Sequence, residues 1–484
     1  MKCRTMVGCL LVGVMLLGLS ARARADLAEE VRGVLNESYF KKAEVGIAVF
    51  ELGSGEQPAK PIFRHQSDIP LVPASNLKLL TTSAALDRLG GDFKFRTALW
   101  VKGYDLFLIG DGDPTLGDFE LTKSAGWDVT TVFKSWAGEL KKRGITSVQN
   151  VVVDDSVFDE TFVHPNWSAR YASARYSAGV AGVNLNANCA DFYLKTGAKG
   201  AIVSYVIDPP TRYLSVKNSC VSGNVDEVAL GRLPGKNEIV LSGQAHHDSV
   251  DPIQVTVHDP AMFAATVLAE TLAAEGITVK GTTTRDRTVR DRARSGGGWT
   301  VVAELQTPMA PVLARANKDS MNLYAEALCK RLGHEVSTEP GSWANGTAAV
   351  GEFLKKIEID EAQFHLDDGC GLSRQNTVSA NALATLLAYN YRSKNKQLFL
   401  DSLGVAGQDG TLKGRFKGTD LRERVYAKSG YIDNVSSLSG YLKTKDEKWF
   451  AFSILMNDLP GGTNPTAKEM QERIVRAVDR SAAP

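Results

Sequence analysis

A chain of 484 residues is too long for one ordinary hydrophobic core, so two or three domains are expected. Its composition, 43% hydrophobic and 23% charged, is that of a globular protein and excludes a disordered one. With a net charge of +1 and no basic stripe interleaved with aromatics, nucleic acid is excluded as the main partner.

Lys2 and Arg4 precede an apolar run from Met6 to Leu19, followed by Ala23-Arg24-Ala25. That is the pattern of a secretory signal peptide cut before Asp26, and it implies export to the periplasm. An outer-surface location in an organism without an outer membrane fits the same signal. The run is shorter than the ~20 residues of a spanning helix, so no stable membrane anchor is expected. Cys9 has almost no apolar region ahead of it, which argues against a lipoprotein site. Cleavage leaves Cys189, Cys220, Cys329 and Cys370. Their pairing is open, with Cys189–Cys220 favoured because both fall in one segment.

Leu27, Val31, Val34 and Leu35 form a helical apolar stripe, and Val45 to Leu52 reads as a strand ending at Gly53-Ser54-Gly55. Pro73-Ala74-Ser75-Asn76-Leu77-Lys78 then opens an apolar helix that stops at Gly90-Gly91. Three residues apart on a helix, Ser75 and Lys78 share one face, so the amine can act as base for the hydroxyl. From about Thr97 the text turns to short strands, and Asp111-Gly112-Asp113-Pro114 reads as a turn without the further ligands of a calcium loop. A second β-rich segment runs from Cys189 to Ser249. In it His246-His247-Asp248 lacks a third histidine and is read as surface, so no metal and no cofactor are expected. Pro260 to Gly276 is helical, and the basic, glycine-rich Arg285 to Gly298 reads as a linker. Met309 to Leu332 reads as helices carrying Ser320-Met321-Asn322, and Ala380 to Tyr391 as another. Lys428-Ser429-Gly430 precedes a hairpin of Val435–Leu442 with Trp449–Met456. The last helix shows Met470, Ile474, Val475 and Val478 on one face.

Ser-x-x-Lys, Ser-x-Asn and Lys-Ser-Gly are short motifs, and the chain contains decoys. Ser393-Lys394-Asn395-Lys396, Ser379-Ala380-Asn381 and Lys195-Thr196-Gly197 match the same spellings. Context separates them. Ser75 begins an apolar helix after a proline, where the helix dipole is positive. Ser393 lies in a polar cluster, and Lys195 stands in a glycine-rich turn ahead of Ser320. Only Ser75, Ser320 and Lys428 combine a sensible chain order with suitable local structure.

Longer runs carry more. Lys318–Glu326 (KDSMNLYAE), Asp367–Arg374 (DDGCGLSR), Ala406–Leu412 (AGQDGTL), Gly112–Leu116 and Ser436–Tyr441 together resemble the D-alanyl-D-alanine carboxypeptidase/endopeptidase family. These are the low-molecular-mass class C penicillin-binding proteins, peptidase family S13. Ser75 and Ser320 are 245 residues apart, which leaves room for insertions, and only 56 residues follow Lys428. The departures are Ser429, where threonine is usual, and Tyr431, where a smaller residue is. The resemblance implies an α+β fold: a penicillin-binding/β-lactamase-like transpeptidase core, an antiparallel sheet flanked by helices, with two nested β-rich inserted domains. Its expected boundaries are 26–95 and 298–484 for the serine acyl-transferase, 96–187 and 252–297 for the outer insert, and 188–251 for the inner one.

It also implies a mechanism. Ser75 attacks the penultimate D-alanine carbonyl of a peptidoglycan stem peptide, with neutral Lys78 as base; burial and the cation Lys428 would keep Lys78 neutral. Backbone N–H groups of Ser75 and Tyr431 form the oxyanion hole, a contribution of about 3–4 kcal/mol per donor. Ser320, linked to Lys428, returns the proton to the leaving amine, Asn322 holds the substrate amide, and Lys428 with Ser429 binds the terminal carboxylate. Gly430 lines the same strand, while Arg374 and Asp154 occupy positions that family members use for a diaminopimelate side chain. β-Lactams are the implied covalent inhibitors, and a homodimer is left open. A β-lactamase on the same core and a non-catalytic wall-binding scaffold are the alternatives.

Overall fold

The computed structural model describes residues 26–53, 57–462 and 464–482. The signal peptide read over 1–25 lies outside the described residues. The described residues fall into two compact units, one holding those up to Leu86, Asn317–Ser320 and those from Gly351 onward, the other Asp87–Ala316 and Met321–Val350.

The first unit is built on a six-stranded sheet. Its order is Gly404–Val405, Val425–Ile432, Val435–Lys443, Trp449–Asn457, Glu44–Leu52 and Lys60–His65, antiparallel throughout. Alternation sorts its side chains to two faces. Val45, Ile47 and Val49 meet Leu27, Val31 and Val34 of the helix at 26–35, and Ile474, Val475 and Val478 of Asn464–Ser481. The opposite face carries the helix Ala380–Arg392. There Gly46 permits close approach: a Cβ at this position would already touch the Ala380 methyl at 3.6 Å. Because both faces are covered, the strand Val435–Lys443 is buried along nearly its whole length. The expected strand at 45–52, the C-terminal hairpin and the final helix all stand where the apolar spacing put them.

The second unit has a mixed five-stranded sheet in the order Thr283–Arg285, Val151–Asp154, Asp105–Gly110, Lys94–Lys102 and Thr300–Pro308. Helices Thr131–Lys142 and Pro260–Ala274 cover it, burying Trp136, Leu140, Phe263 and Leu268 against Leu99, Leu106 and Val151. Asp259 caps the second helix by accepting from the Met262 N–H at 3.1 Å, with Pro260 in the first turn. Residues 189–256 contribute smaller sheets, including Cys189–Lys195 between Ile253–Thr256 and Ser204–Asp208.

Three expectations need correction. Thr300–Pro308, assigned to the transferase part, pairs with Lys94–Lys102 in the second unit's sheet. The stretch Arg285–Gly298 is not a linker, since it opens on the end of a strand and contains the helix Val289–Ser295. Two of its arginines are structural: Arg285 pairs with Asp259 at 2.5 Å, and Arg287 with the buried Asp155 at 3.0 Å. Cys189 and Cys220 are not bridged; each is a separately buried thiol, one opening a strand and the other in a small apolar cluster. Cys329 and Cys370 are buried thiols as well.

Candidate active site

Ser75 does not stand inside the α-helix but in the single 3-10 turn Ala74–Asn76 that leads into Leu77–Arg88. Ala74 takes a left-handed φ of 47°, a conformation that costs a non-glycine residue roughly 1–2 kcal/mol. The neighbours hold it there. Ser437 Oγ donates to the Pro73 carbonyl at 2.7 Å. Asn76 is fully buried; with its amide turned to satisfy both neighbours, it donates to the Lys428 carbonyl at 2.8 Å while accepting from the Ser439 N–H at 3.1 Å. The Ser75 turn is thus fastened to two central strands.

Lys78 Nζ donates to Ser75 Oγ at 2.9 Å and to the Cys370 carbonyl at 2.8 Å. The carbonyl is placed by Asp368. Its carboxylate accepts from the Cys370, Gly371 and Ser373 N–H groups at 3.1, 2.6 and 2.7 Å, and from Asn376 Nδ2 at 2.9 Å. Gly371 sits at φ +84°, and a Cβ there would lie 1.9 Å from the Ala74 carbonyl. The run Asp367–Arg374 is therefore a scaffold for the Ser75–Lys78 pair.

Ser320 and Lys428 make the second pair. Lys428 Nζ donates to Ser320 Oγ at 2.8 Å and to the Ser429 carbonyl at 2.6 Å. Lys428 is completely buried, and that burial, helped by the charge of Lys78 and opposed by Asp319, pushes its ammonium well below the ordinary lysine range. Ser320 has a left-handed φ of 62°. Asn317, buried, donates to Thr82 Oγ1 and Ser402 Oγ at 3.1 and 3.0 Å. Lys318 pairs with Asp409 at 2.7 Å, and its carbonyl accepts from the Thr411 N–H at 3.0 Å. Those bonds explain the Ala406–Leu412 run: it anchors the short segment that carries Ser320.

Along the strand Val425–Ile432, residues two apart share a face. Lys428 and Gly430 accordingly both look toward the Ser75 turn, where a Cβ on Gly430 would come within 2.9 Å of the Ser75 nitrogen. Only glycine fits that approach. Tyr431, the next residue, is half-exposed. Arg374 Nη1 donates to the Asp433 carbonyl at 2.7 Å, tying the Asp368 loop to the turn that follows the strand.

Ser75, Lys78, Ser320, Lys428, Ser429 and Gly430 are thus gathered in one unit. Asn322 and Asp154 belong to the other. Asn322 opens the helix Asn322–Ser337 and donates through Nδ2 to the Tyr176 carbonyl at 2.7 Å. Asp154 is fully buried, with its oxygens accepting from the Ser156 and Arg290 N–H groups at 2.8 and 2.6 Å. It holds the first turn of the helix Val289–Ser295 to the end of its own strand, shut off from solvent. The decoys resolve locally. Thr196 and Lys195 both bond Asp248 in an exposed turn, and Ser379 caps the helix Ala380–Arg392. Sequence reading missed Asn76, Asn317 and Asp368; the last lay inside a run singled out for its spelling without a role.

A serine hydroxyl bonded to a lysine amine, beside a second lysine–serine pair, is the equipment of a hydrolase that works by acyl transfer. The chain belongs to the D-Ala-D-Ala carboxypeptidase 3 (S13) family, which it matches over residues 27–481. It is a serine-type carboxypeptidase of that family. The D-alanyl-D-alanine carboxypeptidase of Actinomadura sp. (strain R39) is 28% identical over 475 residues, covering 93% of this chain and 84% of that protein. The D-alanyl-D-alanine carboxypeptidase DacB of Haemophilus influenzae is 26% identical over 407 residues, 81% of each chain. The fold is that of the Haemophilus influenzae penicillin binding protein 4 structure, with a TM-score of 0.77, 22% identity, and coverage of 94% of this chain and 99% of that one. The Bd0816 predatory endopeptidase of Bdellovibrio bacteriovorus, solved with an immunity protein, is more distant: TM-score 0.54, 17% identity, 90% and 94% covered. The expected α+β architecture of a penicillin-binding protein is borne out.

Proposed function

We propose that this chain is exported and removes the terminal D-alanine from peptidoglycan stem peptides, and that it also cuts D-alanyl–diaminopimelate cross-links. Its first unit is the acyl-transferase; the second unit holds both inserts. Ser75 Oγ attacks the carbonyl carbon while its proton passes to Lys78 Nζ. N–H groups of Ser75 and Tyr431 receive the oxyanion. The C–N bond breaks as Ser320, hydrogen-bonded to Lys428, protonates the leaving amine. Water then hydrolyses the Ser75 ester by the reverse proton path. Lys428 and Ser429 bind the substrate's terminal carboxylate, Asn322 its amide, and Arg374 the side chain of the third stem residue. Asp154 is assigned to the support of the second unit.

The observation that carries this reading is the pairing of two lysines with two serines in one unit, at 2.9 and 2.8 Å. Export finds support in the signal pattern, and no described helix is long and apolar enough to cross a membrane. Endopeptidase action is supported by the endopeptidase among the structural neighbours. Acylation by β-lactams is supported by the Haemophilus influenzae neighbour solved with one, at a TM-score of 0.72. The test is to incubate the protein and its Ser75→Ala variant with a fluorescent penicillin and weigh the products. An adduct on the wild type alone is the expected outcome. Equal labelling of both would place the nucleophile elsewhere, and labelling of neither would return the wall-binding alternative.

A further inference from the structure

The second unit contains a cavity of about 400 Å³ that none of the chemistry above uses. Alternation on the strand Lys94–Lys102 directs Arg96 and Trp100 into it from one face. The helix Val289–Ser295 contributes Arg290 and Arg294, one turn apart, and Asn322–Ser337 contributes Arg331. Two carboxylates line the cavity beside these four guanidiniums and both are already engaged, while Arg331 also pairs with Glu335 at 3.1 Å. Asp111 holds Arg331 at 3.0 Å, and Glu304 accepts from Gln306 at 2.5 Å. Arg96 and Arg294 are exposed at the cavity and have no acidic partner among the described residues. Arg290 Nε is buried and has no acceptor among the described residues, while its Nη2 donates to the Gly110 carbonyl. A concave wall with a surplus of planar N–H forks, beside an indole, is suited to a carboxylate on a saccharide or peptide.

We propose that this cavity is a second binding site, separate in sequence from the Ser75 machinery, for a carboxylate-bearing segment of the cell-wall polymer. The proposal rests on the peptidoglycan reading for the identity of its ligand. Under it, the inserted unit holds wall polymer while the catalytic unit works.

The test uses the full chain after reaction with penicillin, so that Ser75 is occupied. Calorimetry would follow three probes: a soluble disaccharide-peptide fragment of peptidoglycan with free carboxylates, the same fragment amidated, and inorganic phosphate. The free-carboxylate fragment should bind at one site, at least tenfold more weakly to the Arg96→Gln/Arg294→Gln variant, and at least tenfold more weakly when amidated. Binding should also weaken as salt rises. Fragment binding unmoved by the double substitution overturns the proposal, and so does its absence. Phosphate binding where the fragment does not bind makes this a general anion site and removes the carboxylate assignment. Mass spectrometry of the acyl adduct reports on the catalytic reading separately, and the arginine substitutions decide the cavity's role with or without that adduct.

Discussion

Lys428 is a buried cation whose environment favours the neutral amine, and two consequences follow from the sign of that shift. As pH rises, neutral Lys428 accumulates before an ordinary lysine would lose its proton. Penicillin acylation should therefore fall before pH reaches the usual lysine range, as the cation assigned to the substrate carboxylate is lost, which a pH series of labelling rates measures. Lys428→Arg, with a cation that keeps its proton, should lose that profile and slow acylation roughly 10²–10⁴-fold. Stability follows the same linkage. Below the ordinary lysine value the unfolded chain binds this proton more readily than the folded one, so the penalty fades as pH rises toward it. Lys428→Met should unfold at a higher temperature than wild type at pH 7 and lose that advantage in alkali, although it acylates poorly. Asp191 shows the opposite case. Burial raises its carboxyl to about 6, and Oδ2 has no partner while Gln254 bonds Oδ1 at 2.8 Å. Its burial is harmless at pH 4 and costly above pH 6, so Asp191→Asn should stabilise the protein by roughly 1–3 kcal/mol at pH 7.5 and by little at pH 4. Denaturant titrations at the two pH values check this.

At the scale of elements, the pieces that position the site are loops. Gly371 joins the Asp368 loop to the Ser75 turn at van der Waals range with a left-handed backbone. Gly371→Ala combines a steric overlap at the Ala74 carbonyl with an unfavourable φ. It should cost roughly 2–4 kcal/mol and remove most penicillin labelling, read by melting temperature and adduct mass together. Asn76→Ala should cost roughly 1–3 kcal/mol, because it strips the Lys428 carbonyl and the Ser439 N–H of buried partners. The sequence disclosed the periodic elements and the chemically marked side chains. Ser75 and Lys78 were legible because helical spacing alone sets them one turn apart, and the sheet strands because apolar residues alternate. What stayed hidden is long-range: Asp368 acts through backbone N–H groups, which have no residue signature, and Asn317 works by reaching Thr82. Arg285–Gly298 read as a linker because the partners of Arg285 and Arg287, Asp259 and Asp155, lie far away in the chain. Cys189 and Cys220 failed as a pair for a related reason: closeness in sequence did not bring them together in the fold.

Each of the two units has its own apolar core: Leu99, Trp136 and Phe263 lie in one, Ile47, Leu438 and Ile474 in the other. Unfolding should accordingly proceed in two steps. Hydrogen exchange in rising urea is expected to release the two sets of amides at different concentrations; a single common transition would mean that the units unfold together. The six-stranded sheet has a further consequence, for how the chain is made. Its strand Glu44–Leu52 is among the first to be synthesised, yet the neighbour that completes it, Trp449–Asn457, is among the last. The second unit can close while synthesis continues, but the six-stranded sheet waits through nearly the whole chain with one edge of this apolar strand unpaired. Lys428 arrives in that same late stretch. A chain cut short therefore lacks both Lys428 and the strand that would hide the edge, so loss of activity and exposure to proteases are expected to arrive together.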